Sequence, residues 1–308
     1  MTASKGATRP DLVSVVTPSL NMREYLPQTI ESILVQDYSA VEYLIMDGGS
    51  TDGTGELVER YGERVSYITK RDTGAAEAIH DGFAGSTGSI LGWLSADDLY
   101  APMAISRVAA TFAAHPEADV VYGDGIWIDD RGQAIGPYPT RDFDPDRFRQ
   151  ECFLCQPAVF FRRRAYEEAG GLNTALKSAY DYDLWIRMAR NCRFRRIPEV
   201  LAYSRMHAGK KTIGLRGFAF REAMNLQRSH FDYVPMKAVF SYAAWRSDGR
   251  DQFTQPFQPG VGAYFMSLTM GLSWNRRHPL RFCMEWLSRF PMVLDIMRRR
   301  VRRDRAGP

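Results

Sequence analysis

Apolar runs and amphipathic stretches take turns along the first 130 residues. "LVSVV" (Leu12 to Val16) is a β-rich run that stops at Thr17-Pro18. In "REYLPQTIESILVQDY", Leu26, Ile30, Ile33 and Leu34 recur at helical spacing. "VEYLIMD" predicts a second strand, and "GELVERYGE" a helix after a Gly- and Asp-rich loop. "VSYIT", "SILGWLS" and "ADVVYGDGIWID" predict further strands. "GAAEAIHDGFAGS" and "MAISRVAATFAAHP" predict the helices between them.

This β-α-β-α alternation with short connections predicts an α/β protein with a mostly parallel sheet flanked by helices. Ligands of such sheets gather at the carboxyl ends of the strands. Four successive strand ends carry Thr17-Pro18, Asp47, Lys70-Arg71-Asp72 and Asp97-Asp98.

Beyond residue 130 the rhythm loosens. "PAVFFRRRAYEEAG" predicts a strand leading into a helix, "DYDLWIRMAR" an amphipathic helix, and "RFRRIPEVLAYSRMH" an extended segment. After Thr212 the alternation is gone and several helices are expected. The sequence divides as a catalytic-type domain over 1–212 and a mainly helical region over 213–308.

Composition changes the picture in few places. Hydrophobic (45%) and charged (25%) fractions are those of an ordinary globular protein. The net charge of +4 is too small to imply nucleic acid. It is unevenly placed, however. From Arg276 to Arg305, ten arginines face only Glu285, Asp295 and Asp304, a local +7. Such asymmetry marks a region that meets an anionic surface. Trp286, Phe290 and the nearby methionines are read as candidates for a bilayer interface. A solvated basic tail behind packed helices is the other reading.

The four cysteines read as small buried residues, because Cys152-x-x-Cys155 has no second pair to complete a zinc site. The N-terminus lacks the apolar core of a secretory signal. No apolar run reaches the ~18 residues that cross a bilayer. A cytoplasmic protein is expected, free or held at the inner face of the membrane.

The strand ends carry the candidate chemistry. Adjacent carboxylates repel, so Asp97 and Asp98 call for a positive partner. Either a hard divalent cation or a capped helix near Pro102 answers that call. Asp47, before Gly48-Gly49, suits a ribose hydroxyl or a base N–H; a simple glycine turn competes. Asp181 and Asp183 stand where helix-start acids are common, yet an acid there also serves as a general base. His207, beside Lys210 and Lys211, suits a metal ligand next to phosphate-binding cations, or a solvated loop.

Together these residues resemble the family-2 glycosyltransferases, inverting enzymes of GT-A fold that use nucleotide-diphospho-sugars. "VSVVTPSLNMREYLPQTIESILVQDYSAVEYLIMDGGSTDGT" resembles the family's nucleotide-binding half almost throughout, Gln36 included, and the likeness runs from Val13 to Thr212. It implies that Thr17, Pro18 and Asp47 hold the nucleoside and that Asp72 lies near the base or ribose-phosphate. "SADD" falls at the family's D-x-D, with Ser95 at its first acid, which makes Asp97 a metal ligand. "YDYDLWIRM" falls at the "ED" helix start, with Tyr180 for Glu, which makes Asp181 the catalytic base and Asp183 its competitor. "SRMHAGKKT" resembles the late R-x-H segment: His207 would complete a Mg²⁺ or Mn²⁺ site and Lys211 would approach the diphosphate.

The resemblance implies transfer of a sugar to a hydroxyl acceptor, a glycan or a lipid-linked molecule, in cell-surface polysaccharide or glycolipid synthesis. Two alternatives stand beside it. One is a nucleotide-sugar-binding protein without turnover, suggested by Ser95 and Tyr180. The other is an unrelated Rossmann oxidoreductase, against which the missing G-x-G-x-x-G speaks.

Overall fold

The computed structural model describes residues 10–207, 214–249 and 260–291. The chain forms two compact units. One takes residues 1–144 and 153–213, and the other takes 145–152 and 214–308.

The first unit is built on a nine-stranded sheet. β1 (Val13–Ser19), β2 (Val41–Asp47), β3 (Ser66–Thr69) and β4 (Ile90–Trp93) lie in the order β3-β2-β1-β4, all parallel. The helices α1 (Leu26–Leu34), α2 (Thr54–Glu59) and α3 (Ala75–Gly85) make the crossovers. β1 is buried along nearly its whole length, so both faces of the sheet are covered. Val13 and Val15 join one apolar cluster with Leu26 and Ile30 of α1 and with Ile105 and Phe112 of α4 (Ala104–Ala114). Val16 points the other way and meets α3 at Gly82. A Cβ there would come within 2.6 Å of Val16 Cγ1, so the helix packs this close only because position 82 has no side chain.

Beyond β4 the ladder becomes mixed. β8 (Val159–Arg162) enters antiparallel between β4 and β6 (Val120–Ile128). β9 (Phe194–Arg205) runs parallel to β6. The two-residue β5 (Leu99–Tyr100) pairs antiparallel with β9, and β7 (Ala134–Pro137) is a hairpin arm on β6. The expected parallel sheet thus describes its first four strands. α6 (Arg163–Glu168) and α7 (Tyr180–Met188) follow β8.

The second unit contains α5 (Pro145–Phe148), α8 (Arg216–Phe231), α9 (Met236–Asp248), α10 (Val261–Trp274) and α11 (Pro279–Ser288). Its core gathers Met224, Tyr233, Val239, Tyr264, Phe282 and Trp286. Trp286 is only 8% exposed, which corrects its reading as a bilayer residue: its ring is consumed in packing. No helix among the described residues is long and apolar enough to cross a membrane. All four cysteines are free thiols, and burial foremost, with Asp119 and Glu168 adding to it, pushes the Cys192 thiol up to about 11.

Candidate active site

The carboxyl ends of β1 to β4 form one edge, and the expected acids arrive there by different routes. Asp47 is the last residue of β2, opposite Ser19 of β1. Its Oδ2 accepts the N–H groups of Gly49 and Ser50 at 3.0 and 2.8 Å, and its Oδ1 accepts the Ser50 hydroxyl. The loop bends this tightly because Gly49 adopts φ +95°, a left-handed conformation that favours glycine. Asp72, three residues past β3, turns back on the same loop. Its carboxylate lies 3.2 Å from where a Cβ of Gly48 would stand, and it also accepts the Gly74 N–H at 2.9 Å. Asp52 accepts from Thr54 and from the Arg23 N–H, so it shapes the loop and the start of α2.

Asp97 and Asp98 occupy the turn between β4 and β5. They do not cap the helix beyond Pro102, since β5 intervenes. Gln36 serves that end of α4 instead, accepting the Ile105 N–H and donating to Ala101 O. The residue that braces this turn is Arg205, the last residue of β9. Arg205 is fully buried. Its backbone N–H donates to Asp98 Oδ1 at 2.8 Å and its Nε to Asp97 O at 3.0 Å. Nη1 reaches the carbonyls of Asp129 and Asp130, and Nη2 reaches Gln28 Oε1 at 2.7 Å. Its plane also lies over the Tyr25 ring. A buried charge is tolerable when its donors are satisfied in this way.

Two residues further on, His207 comes back to Asp97. The imidazole Nε2 and Asp97 Oδ2 are 2.9 Å apart, with side chains only 9% and 6% exposed. Two neighbouring ligands of an octahedral ion, each at about 2.1 Å, lie about 3.0 Å from each other. The Asp97–His207 spacing is close to that value, and a shared divalent cation would replace the hydrogen bond between them. No group of three or more His, Cys, Asp or Glu side chains that could hold a metal forms among the described residues. An ion here would take its remaining oxygens from water and phosphate, which is how Mg²⁺ is usually held.

Asp181 stands in the first turn of α7 and accepts the Tyr182 N–H at 2.7 Å. Two contacts bring the start of α7 to the strand ends. Trp185, one turn after Asp181 on the same face, stacks on Trp93 at the end of β4, with centroids 5.3 Å apart. Lys177 donates to Thr73 O at 2.7 Å, beside Asp72. Asp183 is committed elsewhere: its carboxylate is paired with Arg187 at 2.8 Å and is 5% exposed.

One expected residue has a different occupation. The Thr17 side chain is fully buried and its Oγ1 accepts from Tyr43 Oη at 3.1 Å, so it serves the sheet interior. Lys211 lies outside the described residues. Two residues were missed by sequence reasoning. Arg205 was visible only as the Arg of R-x-H. Ser19 was not visible at all, yet its hydroxyl is buried at the end of β1 with no hydrogen-bond partner among the described residues.

A model of glycosyl transferase family 2 matches residues 14–170, half of the chain. The chain belongs to glycosyl transferase family 2. This family-2 member is 33% identical over 185 residues to a PGL/p-HBAD biosynthesis glycosyltransferase of Mycobacterium tuberculosis, a match covering 58% of this chain and 70% of that protein. It is 28% identical over 214 residues to an uncharacterized glycosyltransferase of Rickettsia prowazekii, covering 65% of this chain and 66% of the relative.

Solved structures share its fold. S. aureus TarS in complex with UDP-GlcNAc aligns over 93% of this chain and 87% of its own, with a TM-score of 0.64 and 16% identity. A mannosyltransferase of Pyrobaculum calidifontis, in complex with GDP-Man and Mn²⁺, aligns over 89% of this chain and 76% of its own, with a TM-score of 0.54 and 19% identity. The GT-A architecture expected from the resemblance is the one observed, and the enzyme is a glycosyltransferase by family.

Proposed function

We propose that the strand-end edge of residues 1–212 binds a nucleotide-diphospho-sugar and transfers its sugar, with inversion, to a hydroxyl of a glycan or lipid-linked acceptor. The observation that carries this reading is the Asp97–His207 pair at the end of β4, nearly sealed from solvent. The solved neighbours named above hold UDP-GlcNAc and GDP-Man, which supports the donor class. The mycobacterial relative, named for PGL/p-HBAD biosynthesis, supports an acceptor in a cell-surface glycoconjugate.

Each residue then has a task. Pro18, Asp47 and Asp72 line the nucleoside side, with the buried Ser19 hydroxyl as a further donor or acceptor there. Asp97 and His207 hold a Mg²⁺ or Mn²⁺ ion. When bound, that ion offsets charge on the diphosphate leaving group. Arg205 keeps the Asp97 turn in place, and Lys211 adds a cation toward the phosphates. Asp181 takes the proton of the acceptor hydroxyl as its oxygen attacks the anomeric carbon and the bond to the diphosphate breaks. Asp183, already bound to Arg187, is unsuited to that proton transfer. A single displacement needs no covalent intermediate, and an α-linked donor gives a β-glycoside.

The test is a transfer assay on UDP-, GDP- and dTDP-sugars with hydroxyl acceptors, the product's anomeric configuration being read by NMR. Inverted product that depends on Asp181 supports the reading. Retained configuration, or donor binding with no transfer to any acceptor, overturns it.

A further inference from the structure

In the second unit, α11 has two apolar faces, and among the described residues only one is packed. Phe282 packs against Gly271 of α10 so closely that a Cβ there would meet its ring at 1.8 Å. Trp286 stacks on Tyr264 with centroids 4.2 Å apart and donates its indole N–H to Tyr264 O at 3.0 Å. The Tyr264 hydroxyl donates in return to Trp286 O at 2.6 Å. These contacts fix the rotation of the helix about its axis.

The fixed rotation turns Leu280, Met284 and Leu287 outward, 78%, 66% and 59% exposed. Their i, i+4, i+7 spacing places them in one stripe. Single exposed apolar residues are ordinary, but a contiguous stripe of three large ones marks an interaction surface. α10 beside it has no charged residue in fourteen positions, and its Phe265 is 52% exposed.

Charge identifies what the stripe meets. The pocket on the neighbouring side of α11, about 420 Å³, is balanced within itself. There Arg149 pairs with Asp146, Arg281 lies 3.8 Å over the Tyr233 ring, and Glu285 accepts the Tyr233 hydroxyl. Arg276 and Arg289 are exposed at either end of α11, and the sequence continues with Arg298, Arg299, Arg300, Arg302, Arg303 and Arg305. A second copy of this chain would have to bring two such +7 segments together, which repulsion opposes. An anionic lipid surface has the opposite sign and an apolar layer at the right depth.

We propose that α11 docks on an anionic membrane surface, Leu280, Met284 and Leu287 entering the acyl boundary while Arg276 and Arg289 at its two ends meet head-group phosphates. One short stripe alone gives weak, reversible attachment, so both signals are needed. The proposal goes beyond the transferase reading and does not depend on it, because vesicle binding is measured with no sugar or nucleotide present.

The experiment is co-flotation of the full chain with vesicles of 70:30 phosphatidylcholine:phosphatidylglycerol. The wild type floats with these vesicles, and not with pure phosphatidylcholine or in 0.5 M salt. The variant carrying Leu280→Ser, Met284→Ser and Leu287→Ser loses binding at least tenfold with its thermal midpoint unchanged. The single Met284→Ser variant shows a smaller loss of the same kind, which keeps the test decisive should the triple variant misfold. The proposal is overturned if the wild type stays unbound or if the stripe variants float as well as it does. It is equally overturned if the stripe variants change a wild-type dimer into a monomer, since the surface would then join two copies of the chain.

Discussion

Two pairs of acids stand at the functional edge, and they are supported in opposite ways. In Asp97-Asp98, the second acid accepts from Arg205, 107 positions away in sequence. In Asp181-x-Asp183, the second acid pairs with Arg187, one helical turn on. Asp98 accepts the backbone N–H of Arg205, Asp183 is ion-paired with the Arg187 side chain, Asp97 faces His207, and Asp181 opens α7 where it meets the strand ends. The difference lies in what holds them. The first arrangement depends on the sheet bringing β9 beside the β4–β5 turn, and the second on a local i, i+4 contact that any helix provides.

The sharpest way to break this comparison is to remove the acids one at a time. Asp181→Asn is expected to lower transfer by about 100-fold to 10,000-fold while donor binding persists, the range a positioned general base supplies. Asp183→Asn should leave transfer within a few-fold and reduce stability instead. Steady-state kinetics beside a nucleotide-binding titration separates the two, and full transfer by Asp181→Asn would move the base elsewhere.

The supports come next. Arg205→Met keeps the backbone N–H that Asp98 accepts but strands the carbonyls of Asp97, Asp129 and Asp130 and the amide oxygen of Gln28. With several hydrogen bonds to a charged group lost, each contributing about 1.5–3 kcal/mol, a stability loss of about 3–5 kcal/mol is expected from urea unfolding. Arg187→Met, in a shorter and more exposed pair, should lose about 1–3 kcal/mol. Equal losses would mean that the long-range support is no stronger than the local one.

The smallest effect concerns an acid with only structural bonds. Burial pushes the Glu42 carboxyl up, but hydrogen bonds from Ser14, Thr87 and Gly88 outweigh it and hold the group below its ordinary 4.5. Its contribution is thus full above pH 4.5 and fades as the pH falls through the lower folded-state value. The urea midpoint of Glu42→Gln should therefore approach that of the wild type as pH drops from 5 to 3. Parallel curves would contradict the assignment.

The first four strands and their helices were legible because each carries its own period and ends at its own turn signal. β5 was not, having two residues and existing only through its pairing with β9. Nor was the antiparallel entry of β8, since an apolar run such as "AVFF" fits either direction. Asp47, Asp72 and Asp97 were legible as strand-end acids. Arg205 was not, because a fully buried arginine looks in sequence like one more basic residue in a basic stretch. The direction of the Thr17 side chain was not legible for the same reason: whether a strand-end hydroxyl faces the ligand edge or the core depends on Tyr43, 26 residues on. Trp286, left open between a bilayer interface and packed helices, is buried by its own unit.

The most direct measurement is calorimetric titration of UDP and GDP into the protein with and without Mn²⁺, for the wild type, Asp97→Asn and His207→Ala. The account predicts that one nucleotide binds only when the ion is present, and at least tenfold more weakly in each variant. Equally tight binding without the ion, or in both variants, would contradict it.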